Sequence, residues 1–209
     1  MRSRSVSPAR LALLVLGVLA VLAWAPAAGG SGPGPTEQLK GAIDRVLVVL
    51  EDPALKAPPQ AAERRREIRR IADEIFDFEE IARRAMGQHW RTLAPGQQRE
   101  FVTLFSDLLE QAYMSKIETY GGERIQYVGE RVEGDYATVS TRITTDKGTE
   151  VPIDYRALRR AERWRVYDVT IEGVSLVANY RTQFNSLMRT SSPEQLLAKL
   201  RSRVREIRR

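Results

Sequence analysis

No cysteine occurs in the sequence, and His89 is its only histidine. The first absence removes disulfides, thiolate metal sites and thiol catalysis. It also removes the acceptor that a lipoprotein leader requires just after cleavage. The second removes histidine-rich metal sites, and neither an H-E-x-x-H pattern nor a spaced carboxylate cluster is present. Charge of one sign is scarce too. Basic and acidic residues interleave along most of the chain, so a nucleic-acid footprint is not indicated. There is no internal repeat, and no apolar run reaches the roughly 20 residues that span a bilayer.

What is present begins at the N-terminus. Arg2, Arg4 and Arg10 form a basic n-region, residues 11–24 form an apolar run, and Ala25-Pro26-Ala27 supplies small residues at the A-x-A positions. This reads as a cleavable signal peptide over 1–28, with a flexible linker over 29–36 and export out of the cytoplasm. An uncleaved anchor helix is the competing reading. Without those three arginines the 33 basic residues become 30 against 27 acidic ones, so the formal +6 falls to +3. A domain without disulfides must hold itself together by burial, and the remaining length suffices for that.

The chain then divides into a helical first half, a strand-rich middle and a helical end. Leu39, Ile43, Val46, Leu47 and Leu50 recur at helical spacing up to Pro53. Ile68, Ile71, Ile75 and Phe76 form the stripe of a second helix, whose Arg64, Arg65, Arg66, Arg69 and Arg70 read as a solvated face partly paired to Glu63, Glu67 and Asp73. Asp77 is a helix cap with Glu80 at capping-box spacing. A long amphipathic pattern runs over 97–120 and ends at Gly121-Gly122. The period then becomes two. Strands are expected at 125–128, 136–144, 150–158 and 164–171, with turns at 132–135, 146–148 and 161–162. In the last strand Tyr167, Val169 and Ile171 share one side. Helices follow at 176–188 and from Ser192-Pro193-Glu194 onward. The fold class is therefore α+β: a four-stranded antiparallel meander, covered on one face by helices from both ends of the chain, and enclosing an apolar pocket if its inward residues do not meet at the centre, which periodicity does not decide.

Catalytic chemistry finds little support. His89 has no nucleophile or carboxylate assigned to it by sequence and reads as a structural or surface residue. Ser175 stands in Gly-Val-Ser-Leu, which lacks the second glycine of a nucleophile elbow. No Lys-Ser/Thr follows Gly121-Gly122, so a phosphate loop is unsupported. No metal or cofactor is expected.

Several segments together resemble the MlaC, or toluene-tolerance, family. They are Phe76-Asp77-Phe78, then 81–87 (Ile-Ala-Arg-Arg-Ala-Met-Gly), Trp90-Arg91 and the turn at 95–99; later come Tyr167-Asp168, Glu172-Gly173-Val174-Ser175-Leu176, Asn179-Tyr180-Arg181 and Phe184. The resemblance covers about residues 39–200, and an arginine-rich extension over 201–209 continues past the family's usual end. It implies a periplasmic phospholipid carrier, a monomer with no stable membrane insertion. Such a carrier exchanges lipid with an outer-membrane lipoprotein complex and with an inner-membrane ABC transporter bearing an MCE-domain subunit. The domain would span 37–200.

Under that reading the slot candidates on the sheet are Val139, Thr141, Ile143, Val151, Ile153, Tyr155, Val169 and Ile171. Phe105, Leu109, Tyr113 and Ile117 come from the long helix, and Val174 and Leu176 from the region after the sheet. For each, ordinary core packing is the alternative to ligand contact. Asp77, Phe78, Trp90, Glu172 and Gly173 read as scaffold, and Arg83 and Arg181 as surface-paired rather than phosphate-binding. The rival functions are a ligand-free interaction protein with a filled core and a small-molecule enzyme on a cone-shaped α+β fold.

Overall fold

A computed structural model describes residues 32–145 and 148–207. The expected leader, part of the linker and Asp146-Lys147 lie outside the described residues. The chain runs α1 Pro35–Glu51, α2 Pro53–Lys56, α3 Ala61–Ile75, α4 Phe78–Met86 and α5 Pro95–Glu118, then β1 Arg124–Glu133, β2 Tyr136–Thr144, β3 Glu150–Arg160, β4 Arg163–Ile171 and β5 Val174–Ser175, and ends with α6 Leu176–Met188 and α7 Pro193–Ile207. The strands pair antiparallel in sequence order. The α+β meander is as expected, with a two-residue fifth strand added.

Two boundaries move. Pro35 and Thr36, expected in the linker, are the first turn of α1, where proline's fixed φ suits the first helical position and Pro35 is buried. Of the extension over 201–209, the described residues through 207 belong to the last helix. The last helix continues through Ile207, burying Val204, and Arg201 pairs with Glu100 of α5 at 2.5 Å. The first strand also runs past 125–128. Its second half, Glu130 to Glu133, is paired with β2 but exposed on both faces, so it carries no alternation to read.

The helices are fixed by straps as well as by stripes. Ile68, Ile71 and Ile75 are buried on α3, and all five of its arginines are paired. Arg66 pairs with Glu63, and Arg70 with Glu67 and Glu74, along the helix. Arg64 and Arg65 both reach Glu118 of α5 at 2.8 Å, and Arg69 reaches Glu110 at 2.5 Å as well as Asp73. The cross-helix partners were invisible to spacing.

Asp77 caps α4, accepting from the Glu80 N–H at 2.9 Å. The reciprocal half of the capping box does not form, because the Asp77 N–H donates to the Val166 carbonyl at 2.8 Å. Glu80, only 5 % exposed, instead accepts from Arg83 and from Arg84 at 2.6 Å and faces Arg160 of β3 at 3.5 Å. The helix stops at Gly87, whose φ of 55° favours a residue without Cβ, and a 3₁₀ helix, Gly87–Thr92, follows.

Buried side chains form three clusters. In the first, Phe101 and Phe105 of α5 meet Phe184 of α6 and Leu196, Leu197 and Leu200 of α7. A second sets Leu39 and Ala42 of α1 and Ile71 and Ile75 of α3 against Ala137, Val139, Ala157, Trp164 and Val166 of the sheet. A third joins Leu50, Ile68 and Met114. Phe76, half-buried, touches both the helical and the sheet cluster.

Burial opposes ionisation of Glu80, but the hydrogen bonds from Arg83 and Arg84 outweigh it and hold the carboxyl below its ordinary value. A carboxylate of this kind stabilises the fold above its unfolded pKa, and the contribution is lost as pH falls through the lower folded value. Glu80→Gln is therefore expected to lose about 1–3 kcal/mol at neutral pH, by analogy with other broken charged hydrogen bonds. Urea titrations at pH 7 and pH 3 should show the difference from wild type shrinking at the acid end.

Candidate functional site

The register places the sheet candidates in one row. Thr141 faces Tyr127 on one side and Ile153 on the other, Val139 faces Tyr155, and Ile143 faces Val151. Across β3, Ile153 faces Ile171 and Tyr155 faces Val169. A bulge in β4 sets the limit of this row. Ala157 pairs with Val166 and Arg156 with Asp168, so Tyr167 is skipped. Tyr167 therefore does not share the side of Val169 and Ile171, as alternation predicts. It lies on the outer face, edge-on to Tyr136 at 6.2 Å and beneath Arg84 at 3.9 Å.

Along the row, packing changes from solid to incomplete. Val139, 1 % exposed, is sealed in the sheet cluster beneath α1 and α3. Thr141 is buried, its hydroxyl donating to the Ile153 carbonyl at 3.1 Å. Tyr155 and Val169 are half-buried against that same cluster. Ile143, Val151, Ile153 and Ile171 are half-buried and, among the described residues, belong to none of the three clusters. Burial pushes the Tyr155 phenol up to about 12, so it stays neutral.

The helical candidates separate. Phe105 and Leu109 are core residues; the Phe105 ring stands 4.9 Å from Tyr180 and 5.1 Å from Phe184. Tyr113 and Leu176 are half-buried on the edge of that cluster. Ile117 and Val174 are 37 % and 61 % exposed and are not brought into the row by burial. Sequence reasoning missed Tyr127. It is half-buried in β1 opposite Thr141, and its hydroxyl is buried without a hydrogen-bond partner. The alternation of Ile125 and Tyr127 was the signal available.

The row offers alkyl surface and neutral hydroxyls. The Nε2 of His89 instead lies 2.9 Å from Asn185 Oδ1. Ser175 caps α6, accepting from the Ala178 N–H at 3.0 Å and donating to Asp168 at 2.7 Å. Among the described residues no group of histidines or carboxylates could hold a metal. Two surface clefts lie elsewhere. One, of about 310 Å³, is lined by Arg83, Gly87, Gln88, Trp90 and Arg91; the other, of about 1030 Å³, follows α3 from Pro58 to Asp73.

The family model described as "MlaC protein" matches residues 40–202. The chain belongs to the MlaC family. It is 22% identical over 129 residues to the intermembrane phospholipid transport system binding protein MlaC of Haemophilus influenzae, a stretch covering 59% of this chain and 60% of that protein. With the toluene tolerance protein ttg2D of Pseudomonas putida it shares 24% identity over 182 residues, covering 85% of this chain and 84% of the relative. A phospholipid-binding protein from Ralstonia solanacearum, solved in complex with a phospholipid, has the same fold. Its TM-score is 0.73 at 24% identity, with 85% of this chain and all of the other covered.

The contrast within the row is open to test. Val139→Trp is expected to overpack the sheet cluster and cost about 1–3 kcal/mol or more. Val151→Trp, outside the clusters, should cost less than half as much. Thermal unfolding of the two variants beside wild type measures the ordering.

Proposed function

We propose that this MlaC-family protein is a periplasmic phospholipid carrier that holds acyl chains against the row Thr141, Ile143, Val151, Ile153, Tyr155, Val169 and Ile171. It would exchange its cargo at an outer-membrane lipoprotein complex and at an inner-membrane ABC transporter with an MCE-domain subunit. The observation that carries this reading is the set of four half-buried residues, Ile143, Val151, Ile153 and Ile171, that the described core clusters leave out. Family membership and the printed functions of the Haemophilus relative and the Ralstonia structure support it. The leader expected over 1–28 supports the compartment.

The physical demand on such a carrier is large. A diacyl phospholipid carries roughly 30 methylenes, and at about 0.8 kcal/mol each their exposure would cost on the order of 20 kcal/mol. Release into water is then negligible, and transfer requires docking. A headgroup left in water at the mouth gives little headgroup selectivity. Catalysis is not invoked, since the row contributes no nucleophile, base or oxyanion donor set.

Native mass spectrometry of the mature protein from a Gram-negative host should show bound phospholipid. Val151→Trp should remain folded by circular dichroism and lose most of that load. A ligand-free wild type, or a folded Val151→Trp with its full load, would count against this placement of the chains.

A further inference from the structure

Away from the proposed lipid row, arginine and aromatic side chains gather where α4, the 3₁₀ helix Gly87–Thr92 and the outer face of the sheet meet. Arg83 and Arg91 line the 310 Å³ cleft together with Trp90. Arg84 lies over the Tyr167 ring, which meets Tyr136 edge-on. Tyr136 is 51 % exposed and within electrostatic reach of Arg83. Arg160 adds the end of β3, paired with Asp77 at 3.1 Å. Arg181 of α6 donates to the Arg84 carbonyl at 2.8 Å, and its side chain lies against Gly87.

The charge here is unbalanced. On α3 every arginine of the stripe has a carboxylate partner. In this patch Asp77 and Glu80 are the carboxylates bonded to the arginines, and they serve Arg83, Arg84 and Arg160. Among the described residues Arg91 and Arg181 have no carboxylate partner. A positive surface therefore remains, and the guanidinium groups of Arg83, Arg84, Arg160 and Arg181 are held in place. Glu80 fixes Arg83 through two N–H donors, and Tyr167 and Glu80 together fix Arg84.

We propose that this surface docks an acidic patch on a protein partner; the proposal rests on the carrier reading, which requires a docked recipient. Arginine, tyrosine and tryptophan are the side chains that dominate the centres of protein interfaces. Guanidinium groups fixed beforehand lose less freedom on docking and can meet carboxylates with paired hydrogen bonds. An anionic lipid surface would be met by mobile basic side chains, typically including lysine. The patch contains none, and most of its arginines are tied to the frame.

The test uses the mature protein against immobilised soluble ectodomains of the MCE-domain subunit and of the outer-membrane lipoprotein from the same bacterium, with phosphatidylglycerol vesicles in parallel. Arg91→Glu and Tyr136→Ala change exposed side chains outside the core clusters. Each should weaken binding to at least one ectodomain by about tenfold or more, as expected for loss of an interface anchor. Arg66→Glu on α3 should bind as wild type does, and the lipid load of all three variants should be unchanged. Wild-type affinity in both patch variants, no ectodomain binding by wild type, or a loss confined to vesicles would each overturn the proposal. A lipid-free wild type that still bound an ectodomain through Arg91 would instead overturn the carrier reading and leave the docking surface standing.

Discussion

The N–H of Asp77 donates to the Val166 carbonyl at 2.8 Å, and this bond fixes how the helical part of the molecule meets its sheet. It forms at an isolated parallel bridge between Phe76 and Val166, where the chain leaves α3 and has not yet entered α4. The Asp77 carboxylate caps α4 and pairs with Arg160, while Phe76 fills the space between the helical and sheet clusters. Four constraints thus converge on two residues. They commit α1 and α3 to the half of the sheet around Ala137, Val139, Ala157 and Val166, and they direct α4 toward α5 and α6. The far half of the same face, around Ile143, Val151, Ile153 and Ile171, is left with less cover.

How far this was legible depends on where each element draws its stability. The start of α6 matched expectation because it is written locally: Gly173 takes a φ of 81° just before it, and Ser175 supplies the cap. The stripes of α3 and α7 were readable for the same reason, since helical spacing reports burial directly. The second half of β1 was not readable. Its pairing comes from the β2 backbone, and Glu130, Arg131 and Glu133 gain nothing from alternation. The bulge at Tyr167 was equally silent, because an extra residue changes parity without leaving a compositional mark.

The candidate site shows a sharper limit. Parity grouped Val139, Thr141, Ile143, Val151, Ile153 and Tyr155 on one face but misplaced Tyr167, and it could not separate sealed Val139 from half-buried Val151. That difference lies in which helix crosses above each residue, a tertiary fact. Periodicity on α5 likewise gave Phe105 and Tyr113 the same standing, although one is locked among Tyr180 and Phe184 and the other sits at a cluster's edge. Ligand-facing and core-facing alkyl groups are chemically identical, so only the packing around them can distinguish the two.

A carrier of the proposed kind must leave apolar surface underpacked, and every half-buried isoleucine forgoes part of the roughly 1.5–3 kcal/mol that full burial of such a side chain contributes. With no disulfide in the sequence, the compensation has to come from elsewhere in the fold. The aromatic group Phe101, Phe105, Tyr180 and Phe184 is one source, with ring centroids 4.9 to 5.9 Å apart. The straps from Arg64, Arg65 and Arg69 to Glu118 and Glu110 are a second, and they tie α3 to α5 without placing a charge in the row. Keeping charge out matters as much as keeping space. The Tyr155 phenol is uncharged at neutral pH, with burial pushing it further from ionisation, and the Thr141 hydroxyl donates to the Ile153 carbonyl. An alkyl chain laid there would displace no bound ion and strip no charged group of its water. On the proposed reading, stability and ligand capacity fall to different parts of one small domain, and that separation would let the row take up a ligand without unfolding the frame around it.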